Sequence, residues 1–495
     1  MSASVTSKPN ILIIYPDEMS ANLMSCAGNP VLKTPYFDRL AEEGVRFTNA
    51  FSSTPLCTPF RANLYTGKYN HSTGVHANHH PIPVGQDFLA EILKSNGYQT
   101  GYVGKWHLEG GDAPGFVPPG KRRLGFDEMV GFNRGHYYEE SIYYRDTDQP
   151  YHCPRYEPDF QTDHLIDFME RSLEDPQKKP FFGMICYGAP HFPFNMPEYF
   201  KNLYKPDEVP LGPDAGDAKL QKEVTQKLLK DNFPAASGRW GVDSAGPKDY
   251  DDENDVRAYL SHYYGMTANV DHNVGILLNW LDRKGLKDNT LVILISDHGD
   301  MTGEHGYRCG TKKTIYKQAM QVPLIVRYPR CVQGGQVAES LVDASVDTMP
   351  TILNLCGIEV PSSVQGTSYA PLLEDSSTET RSTVFYEVNK ELEGPERFPI
   401  PERGIRTHEW IYCRTPDRVK LLIDLKNDPD ELHNLADDKA YLPQIEKLEA
   451  VLKQHMLETD DDFSAEAIFP PENFLSHEEK SEKQKRLIKE AIVEP

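Results

Sequence analysis

Apolar positions along the chain fall into two periodicities that alternate over most of its length. Strand-like segments occupy residues 10–15, 45–51, 98–103, 180–187, 291–295 and 322–328, and those at 10–15, 180–187 and 291–295 are almost unbroken apolar runs. Such runs are expected of strands covered on both faces, as in a parallel sheet. Between them, residues 37–44, 86–96, 162–175, 255–284 and 347–356 carry apolar residues at helical spacing, as at 88, 89, 92 and 93. These are the crossover helices that a parallel sheet requires. After an acidic, Ser/Thr-rich stretch at 374–382 the pattern shortens. Strand candidates follow at 384–388, 404–407, 410–414 and 420–424, then a helix at 442–456. The expected class is α/β: a mostly parallel sheet flanked by helices, with a smaller C-terminal α+β subdomain made of a short antiparallel sheet plus a helix.

The expected boundaries are a large domain over 8–374, a subdomain over 383–475 and a charged tail over 476–495 that is either a helix or a disordered end. Residues 322–328 close the main sheet in this reading. Residues 205–252 are polar and rich in Pro and Gly, with a helical interlude at 218–230, and read as an insertion. The segment 110–158, rich in Gly, Pro, Tyr and charge, is an unlikely main-sheet strand. Its tyrosines serve either as a substrate-facing rim or as packing.

Candidate chemistry gathers where strands end. Asp17 and Glu18 follow the first strand, and Asp297 and His298 follow the fifth. Acids in such places project into the crevice where α/β sheets bind ligands, although Asp17 alone reads equally well as a helix N-cap. Lys105 and His107 follow the third strand and alternate along an extended segment, which points them the same way. Alone, they read as solvated strand-end charges. His191 is bracketed by Pro190 and Pro193. Residues 55–68 read as a loop turning into a helix, with Thr58 as N-cap, Pro59 in the first turn and Gly67 as a left-handed stop. Cys57 then sits at the positive end of that helix, with Arg61 one turn on along the same face. Taken alone, a buried structural cysteine is the simpler reading of this stretch.

Composition narrows the possibilities. The 39% hydrophobic and 10% aromatic content fits a globular enzyme. No run of 18 or more apolar residues suggests a membrane span. Residues 1–9 lack the basic and apolar regions of a signal peptide, which favours a cytoplasmic protein. A net charge of −22 argues against general binding to nucleic acid or anionic membrane. The eight cysteines show no C-x-x-C spacing, which excludes a dense disulfide framework and a structural zinc site of that type.

Cys57-x-Pro59-x-Arg61 followed by Leu64-Tyr65-Thr66-Gly67-Lys68 resembles the signature of the type I sulfatases, with Phe60 for the commoner Ser and Lys68 for Arg. Gly104-Lys105-Trp106-His107-Leu108, Pro190-His191-Phe192-Pro193, Asp297-His298, Lys312-x-Thr314-x-Tyr316 and the late Asp428-Pro429-x-Glu431 stretch resemble further motifs of that family, in family order, over about residues 8–437. Lys317, Gln321 and Glu18 depart from it; Glu18 stands where a second Asp is usual. The resemblance implies an alkaline-phosphatase-like fold and a sulfuric ester hydrolase. It implies that modifying machinery oxidises Cys57 to formylglycine, whose hydrate attacks sulfur and then expels sulfate. It implies Ca²⁺, with Mg²⁺ or Mn²⁺ as alternatives, held by Asp17, Glu18, Asp297, His298 and the modified Cys57. Arg61, Lys105, His107, His191 and Lys312 would neutralise the sulfuryl oxygens. His191 and Lys312 would serve the leaving group, and His107 would assist hydroxyl deprotonation. Local cations reconcile an anionic substrate with the acidic chain, since each pair at ~4 Å is worth about 4 kcal/mol at an effective dielectric near 20.

The expected substrate is a sulfate ester on a small or oligomeric carbohydrate, because His76, Asn78 and Tyr137 offer polar and aromatic groups to a sugar. The alternatives are a phosphonate monoester or phosphodiester hydrolase, or an arylsulfatase, on the same site. A non-catalytic anion-binding protein remains if Cys57 stays a thiol, and a cysteine hydrolase is the weakest reading. The tyrosines are otherwise packing or contacts of a homo-oligomer.

Overall fold

Strand β1 (Asn10–Asp17) sends Ile11, Ile13 and Tyr15 into one hydrophobic layer and Leu12 and Ile14 into another. A strand with no polar face belongs in the middle of a sheet covered on both sides. In the computed structural model, which describes residues 8–111, 113–230, 252–389, 400–463 and 477–493, that is its place. The sheet continues with β2 (Val45–Phe51), β3 (Gln99–Lys105), β4 (Glu128–Phe132), β5 (Phe181–Pro190), β6 (Thr290–Ile295), β7 (Leu324–Arg327) and β8 (Gln336–Asp343). Their order across the sheet is β8-β2-β7-β6-β1-β5-β3-β4. All described pairings are parallel except those that β7 makes with β2 and β6.

The two edge strands differ from expectation. Residues 128–132 lie inside the segment read as outside the sheet, yet they form β4, parallel to β3. The main sheet does not close at 322–328 either, because β8 follows and pairs with β2. Edge strands need only one partner, and neither has the long apolar run of a central strand: β4 is only five residues long, and β8 is interrupted by Glu339 and Ser340.

Helices Pro35–Glu42, Glu157–Leu173 and Glu253–Arg283 bury residues such as Phe37, Leu165 and Leu277 in the layer on one face. The last is capped by Asp252, whose side chain accepts from the backbone N–H groups of Asn254 and Asp255. Helices Cys57–Thr66, Leu89–Ser95 and Thr348–Leu355 bury Phe60, Leu93 and Ile352 on the other.

Strands β9 (Val384–Val388), β10 (Glu402–Arg406), β11 (Trp410–Arg414) and β12 (Val419–Asp424) form the expected antiparallel sheet, in chain order. One of its faces packs on Phe51, Met320 and Leu341 of the main body; the other receives helix Leu442–Glu458 through Ile445, Leu448 and Leu452. The tail contains helix His477–Glu490, and Ile492–Val493 then pairs with Tyr151–His152. Residues 231–251 of the expected insertion lie outside the described residues; 218–230 are helical, as expected. Among the described residues, no helix is long and apolar enough to cross a membrane.

Candidate active site

Four neighbouring strands, in the order β6-β1-β5-β3, end on the same side of the sheet. Their carboxyl ends deliver Asp297 and His298, Asp17, His191 and Lys105 side by side. Cys57 arrives from the end of β2 as the first residue of its helix. The N-cap is Leu56 and not Thr58, which lies within the first turn. The capping acceptor comes from elsewhere in the chain: Asn78 Oδ1 takes the Thr58 N–H at 3.0 Å. At the other end Gly67 is left-handed (φ 66°), and a Cβ there would come within 2.8 Å of Val364.

Asp17, Cys57, Asp297 and His298 are buried and bring one ligating atom each within 4.8 Å of the others. Asp17 Oδ2 accepts from Lys105 Nζ at 2.7 Å and from Arg61 Nη2 at 3.0 Å. Its Oδ1 lies 3.7 Å from Cys57 Sγ. Burial raises the Asp17 pKa, but Lys105, His191 and Arg61 outweigh it and hold the carboxyl well below the usual range. Asp297 Oδ1 accepts the backbone N–H groups of Glu18 (2.9 Å) and His298 (3.1 Å), whereas its buried Oδ2 accepts no hydrogen bond. Burial, reinforced by Asp17, pushes Asp297 up to about 6. His298 Nδ1 is 2.9 Å from the Gly299 carbonyl, to which it donates, so Nε2 presents its lone pair toward Cys57 Sγ at 3.3 Å. Burial and then Lys312 push His298 down to about 3, which keeps the ring neutral and able to ligate. Carboxylate oxygens, one of them orphaned, beside a neutral imidazole whose tautomer is fixed from outside fit a divalent cation.

Glu18, the fifth expected ligand, stands beside this quartet and not within it. Its backbone is left-handed (φ 60°). Its Oε2 lies 2.8 Å from His191 Nε2 and 3.5 Å from Lys312 Nζ, out of hydrogen-bonding alignment with either. Burial raises its carboxyl to about 7.

Arg61 and Lys312 contact the quartet directly, and His107 follows Lys105. Arg61 is fully buried, donates from Nη1 to the Lys105 carbonyl at 2.6 Å and lies over the Tyr15 ring at 4.7 Å. Lys312 Nζ sits 3.7 Å from Cys57 Sγ and 3.0 Å from His191 Nε2. Its position is set by the next residue, left-handed Lys313, whose N–H donates to the Pro55 carbonyl at 3.2 Å. Burial alone would lower the Lys312 pKa, but Cys57, Glu18 and Asp17 raise it overall. His107 does not continue an extended segment after Lys105. It is left-handed (φ 59°), buried, and neither ring nitrogen has a hydrogen-bond partner. Burial, with Lys105 next, holds its pKa well below the ordinary value.

Residues expected to meet a sugar are scattered. Asn78 serves the Cys57 helix. His76 faces Glu387 and Arg403 beside the C-terminal sheet, with its pKa lowered chiefly by burial. Tyr137 is half-buried and folds over Gly135, where a Cβ would come within 2.3 Å of its ring. Tyr138, Tyr143, Tyr144 and Tyr151 are buried in the core, which favours packing over a rim for most of this segment. The structure adds a residue with no motif to announce it: His136, stacked on His191 and 2.9 Å from Lys105 Nζ. Its only sequence signal is position, just after β4.

With this geometry in place, the comparisons with known proteins agree with one another. A family model described as Sulfatase matches residues 9–358, and one described as N-sulphoglucosamine sulphohydrolase, C-terminal, matches 303–459. An ulvan-active sulfatase of Formosa agariphila is 31% identical over 463 residues, covering 92% of this chain and 83% of that protein. An N-acetylglucosamine-6-O-sulfatase of Bacteroides thetaiotaomicron is 28% identical, covering 91% and 86%. A solved structure of a protein in complex with its substrate D-glucosamine-2-N,6-O-disulfate superposes with a TM-score of 0.78 at 26% identity, covering 93% of this chain and all of that one. A phosphonate monoester hydrolase of Agrobacterium radiobacter superposes at 0.70 and 26% identity, covering 90% and 96%.

Proposed function

The chain belongs to the sulfatase family, and from that premise we propose that it hydrolyses a sulfate ester on a carbohydrate, with a divalent cation and a nucleophile made from Cys57. The observation that carries this reading is the place of Cys57, where the quartet meets the cations. Its Sγ lies 3.3 Å from His298 Nε2 and 3.7 Å from both Asp17 Oδ1 and Lys312 Nζ. As a plain thiol it is a poor nucleophile, since burial, with Asp17 second, pushes it up to about 12. That supports conversion to formylglycine by modifying machinery, with the sulfur replaced by an aldehyde oxygen.

Asp17, Asp297 and His298, with the modified residue 57, would hold the cation. Ca²⁺ suits the oxygen-rich set, and the imidazole keeps Mg²⁺ and Mn²⁺ as alternatives. When bound, the ion polarises the oxygen at position 57 and lowers its pKa. Arg61 and Lys105 fix Asp17 and offer positive charge to the sulfuryl oxygens. Lys312, beside Cys57, adds a further positive charge where preorganised charge is worth more than in water, and His107, held neutral, would serve as a hydrogen-bonding group. Lys312 Nζ, which donates to His191 Nε2 at 3.0 Å, is placed to hand a proton to the departing alcohol, and His191, its own proton held on Nδ1 by the Phe192 carbonyl, orients that ammonium. The net change is ester plus water to alcohol plus sulfate.

The carbohydrate assignment is supported by relatives whose names refer to ulvan, N-acetylglucosamine and glucosamine disulfate. Resemblance to a phosphonate monoester hydrolase supports a second reading on the same tetrahedral-anion site. The test is kcat/KM across sulfated sugars, an aryl sulfate and a phosphonate monoester. A sugar sulfate should lead. An aryl sulfate or phosphonate ahead of every sugar by about a hundredfold, roughly 2.7 kcal/mol of transition-state preference, would reverse the assignment.

A further inference from the structure

We propose that His136 is a positioning residue of this reaction centre, a neutral imidazole that anchors Lys105 through its edge and the ring of His191 through its face. The inference rests on the reading of the Cys57 site as the reaction centre, and it concerns a residue outside every motif of the chain.

The hydrogen bonds fix the tautomer. A lysine ammonium can only donate, so His136 Nε2, 2.9 Å from Lys105 Nζ, must accept. The ring proton of neutral His136 therefore sits on Nδ1, which lies 3.2 Å from the Tyr138 hydroxyl and donates to it. Tyr138 keeps its own proton for the carbonyls of Gly188, at 2.9 Å, and His191. The chain Lys105, His136, Tyr138 and the backbone around His191 is thus consistent in donor direction from end to end.

Two consequences bear on the reaction. Two of the three N–H vectors of Lys105 are directed at Asp17 Oδ2 (2.7 Å) and His136 Nε2, which leaves one in a fixed direction for a sulfuryl oxygen. The His191 ring is held on one face by His136, with centroids 3.8 Å apart and planes at 9°. Phe192 lies 4.5 Å away at 33°, and the Phe192 carbonyl engages Nδ1. A ring so confined keeps Nε2 aimed at the Lys312 ammonium that serves the leaving group. Asp17, His136 and His191 also bring ligating atoms within 4.8 Å of one another, as a cation site would. The Lys105 ammonium contacts two of the three and already supplies the positive charge.

The test separates edge from face. His136→Gln keeps an acceptor for Lys105 and loses the stack, whereas His136→Phe keeps the stack and loses the acceptor. His136→Ala loses both. Each is assayed for kcat and KM on an activated aryl sulfate and an unactivated sugar sulfate, with thermal midpoint and inhibition by orthovanadate alongside. His136→Ala should lose on the order of 10²-fold in kcat/KM on the sugar sulfate. The Gln variant should retain vanadate affinity and KM but lose kcat selectively on the poor leaving group. The Phe variant should do the reverse. If Ala does not fold, the opposed pair still decides. Ala within twofold of wild type on both esters, or Gln and Phe losing kcat and KM in the same proportions, would overturn the proposal. Should the wild type prefer a phosphonate monoester, the substrate reading fails, and the same split is read on activated and unactivated phosphonates.

Discussion

The quartet Asp17, Cys57, Asp297 and His298 and the trio His71, Glu387 and Asp461 share an outline: both hold acids and an imidazole in buried surroundings, with ligating atoms within 4.8 Å. Their hydrogen bonds tell them apart. In the trio, His71 Nδ1 meets Glu387 Oε2 at 2.9 Å and Nε2 meets the Thr459 carbonyl at 3.0 Å. Glu387 also accepts the Asn70 and His71 N–H groups, and Arg403 takes both oxygens of Asp461. No side-chain atom of the trio lacks a partner, whereas in the quartet Asp297 Oδ2 does. Arg403 completes the charge balance of the trio from within the chain. The quartet's two acids also have two cations beside them, Lys105 on Asp17 and Arg61 between Asp17 and Asp297 Oδ2 (4.0 Å), so the sites differ in the acceptor left without a hydrogen bond and not in net charge. Proximity of acids and imidazole therefore does not make a metal site; an unmet acceptor among them is the more telling sign. The trio instead ties the turn behind the Cys57 helix to β9 and to residues 459–461.

The contrast can be broken most severely at the nucleophile. Cys57→Ala should lower turnover by about 10⁴-fold or more while moving the thermal midpoint by only ~2 °C. Next comes metal content, read by elemental analysis: wild type should carry one divalent ion per chain. Asp297→Asn should lose most of it together with roughly 10²- to 10³-fold in activity, while Glu387→Gln keeps it. An ion lost from Glu387→Gln and kept by Asp297→Asn would invert the assignment. A smaller effect is expected at the trio, where Glu387→Gln should cost about 3 kcal/mol of stability in denaturant titration with KM unchanged.

The smallest effect is the pH dependence of that loss. Burial lowers the His71 pKa, but Glu387 raises it above 6.5 overall; burial raises Glu387, but His71 and Arg403 bring it to about 2. The His71 contribution is complete below 6.5 and fades as pH climbs through its raised pKa. The Glu387 contribution is complete above 4.5 and fades as pH falls through about 2. Glu387→Gln should therefore destabilise more near pH 6 than near pH 9, and an equal loss at both would mean that His71 carries no charge there.

Much of the site was legible because its residues stand directly after strands whose apolar runs are hard to misread. Asp17 ends β1 and Asp297 follows β6, so periodicity put both at strand ends, while the choice between ligand and N-cap at Asp17 came from the motif resemblance. Where the chain relies on single-sided pairing the pattern faded: β4 is only five residues long within a segment rich in Gly, Pro, Tyr and charge, and β8 is interrupted by Glu339 and Ser340. The Thr58 cap failed for a different reason: local spacing cannot show that Asn78, twenty residues away, supplies the acceptor. Glu18 illustrates a length effect, since it stands in a ligand position but its carboxylate reaches past the quartet to His191. His136 left no trace because its role depends on stacking across two loops, and His76, grouped by sequence with Asn78, points toward a different sheet.

The most direct test of the whole account is the mass of the peptide containing residue 57, taken from active enzyme fractions of known specific activity. The account predicts that the sulfur is replaced by an aldehyde oxygen and that specific activity rises in proportion to the aldehyde fraction. Full activity in fractions where position 57 is entirely thiol would contradict it.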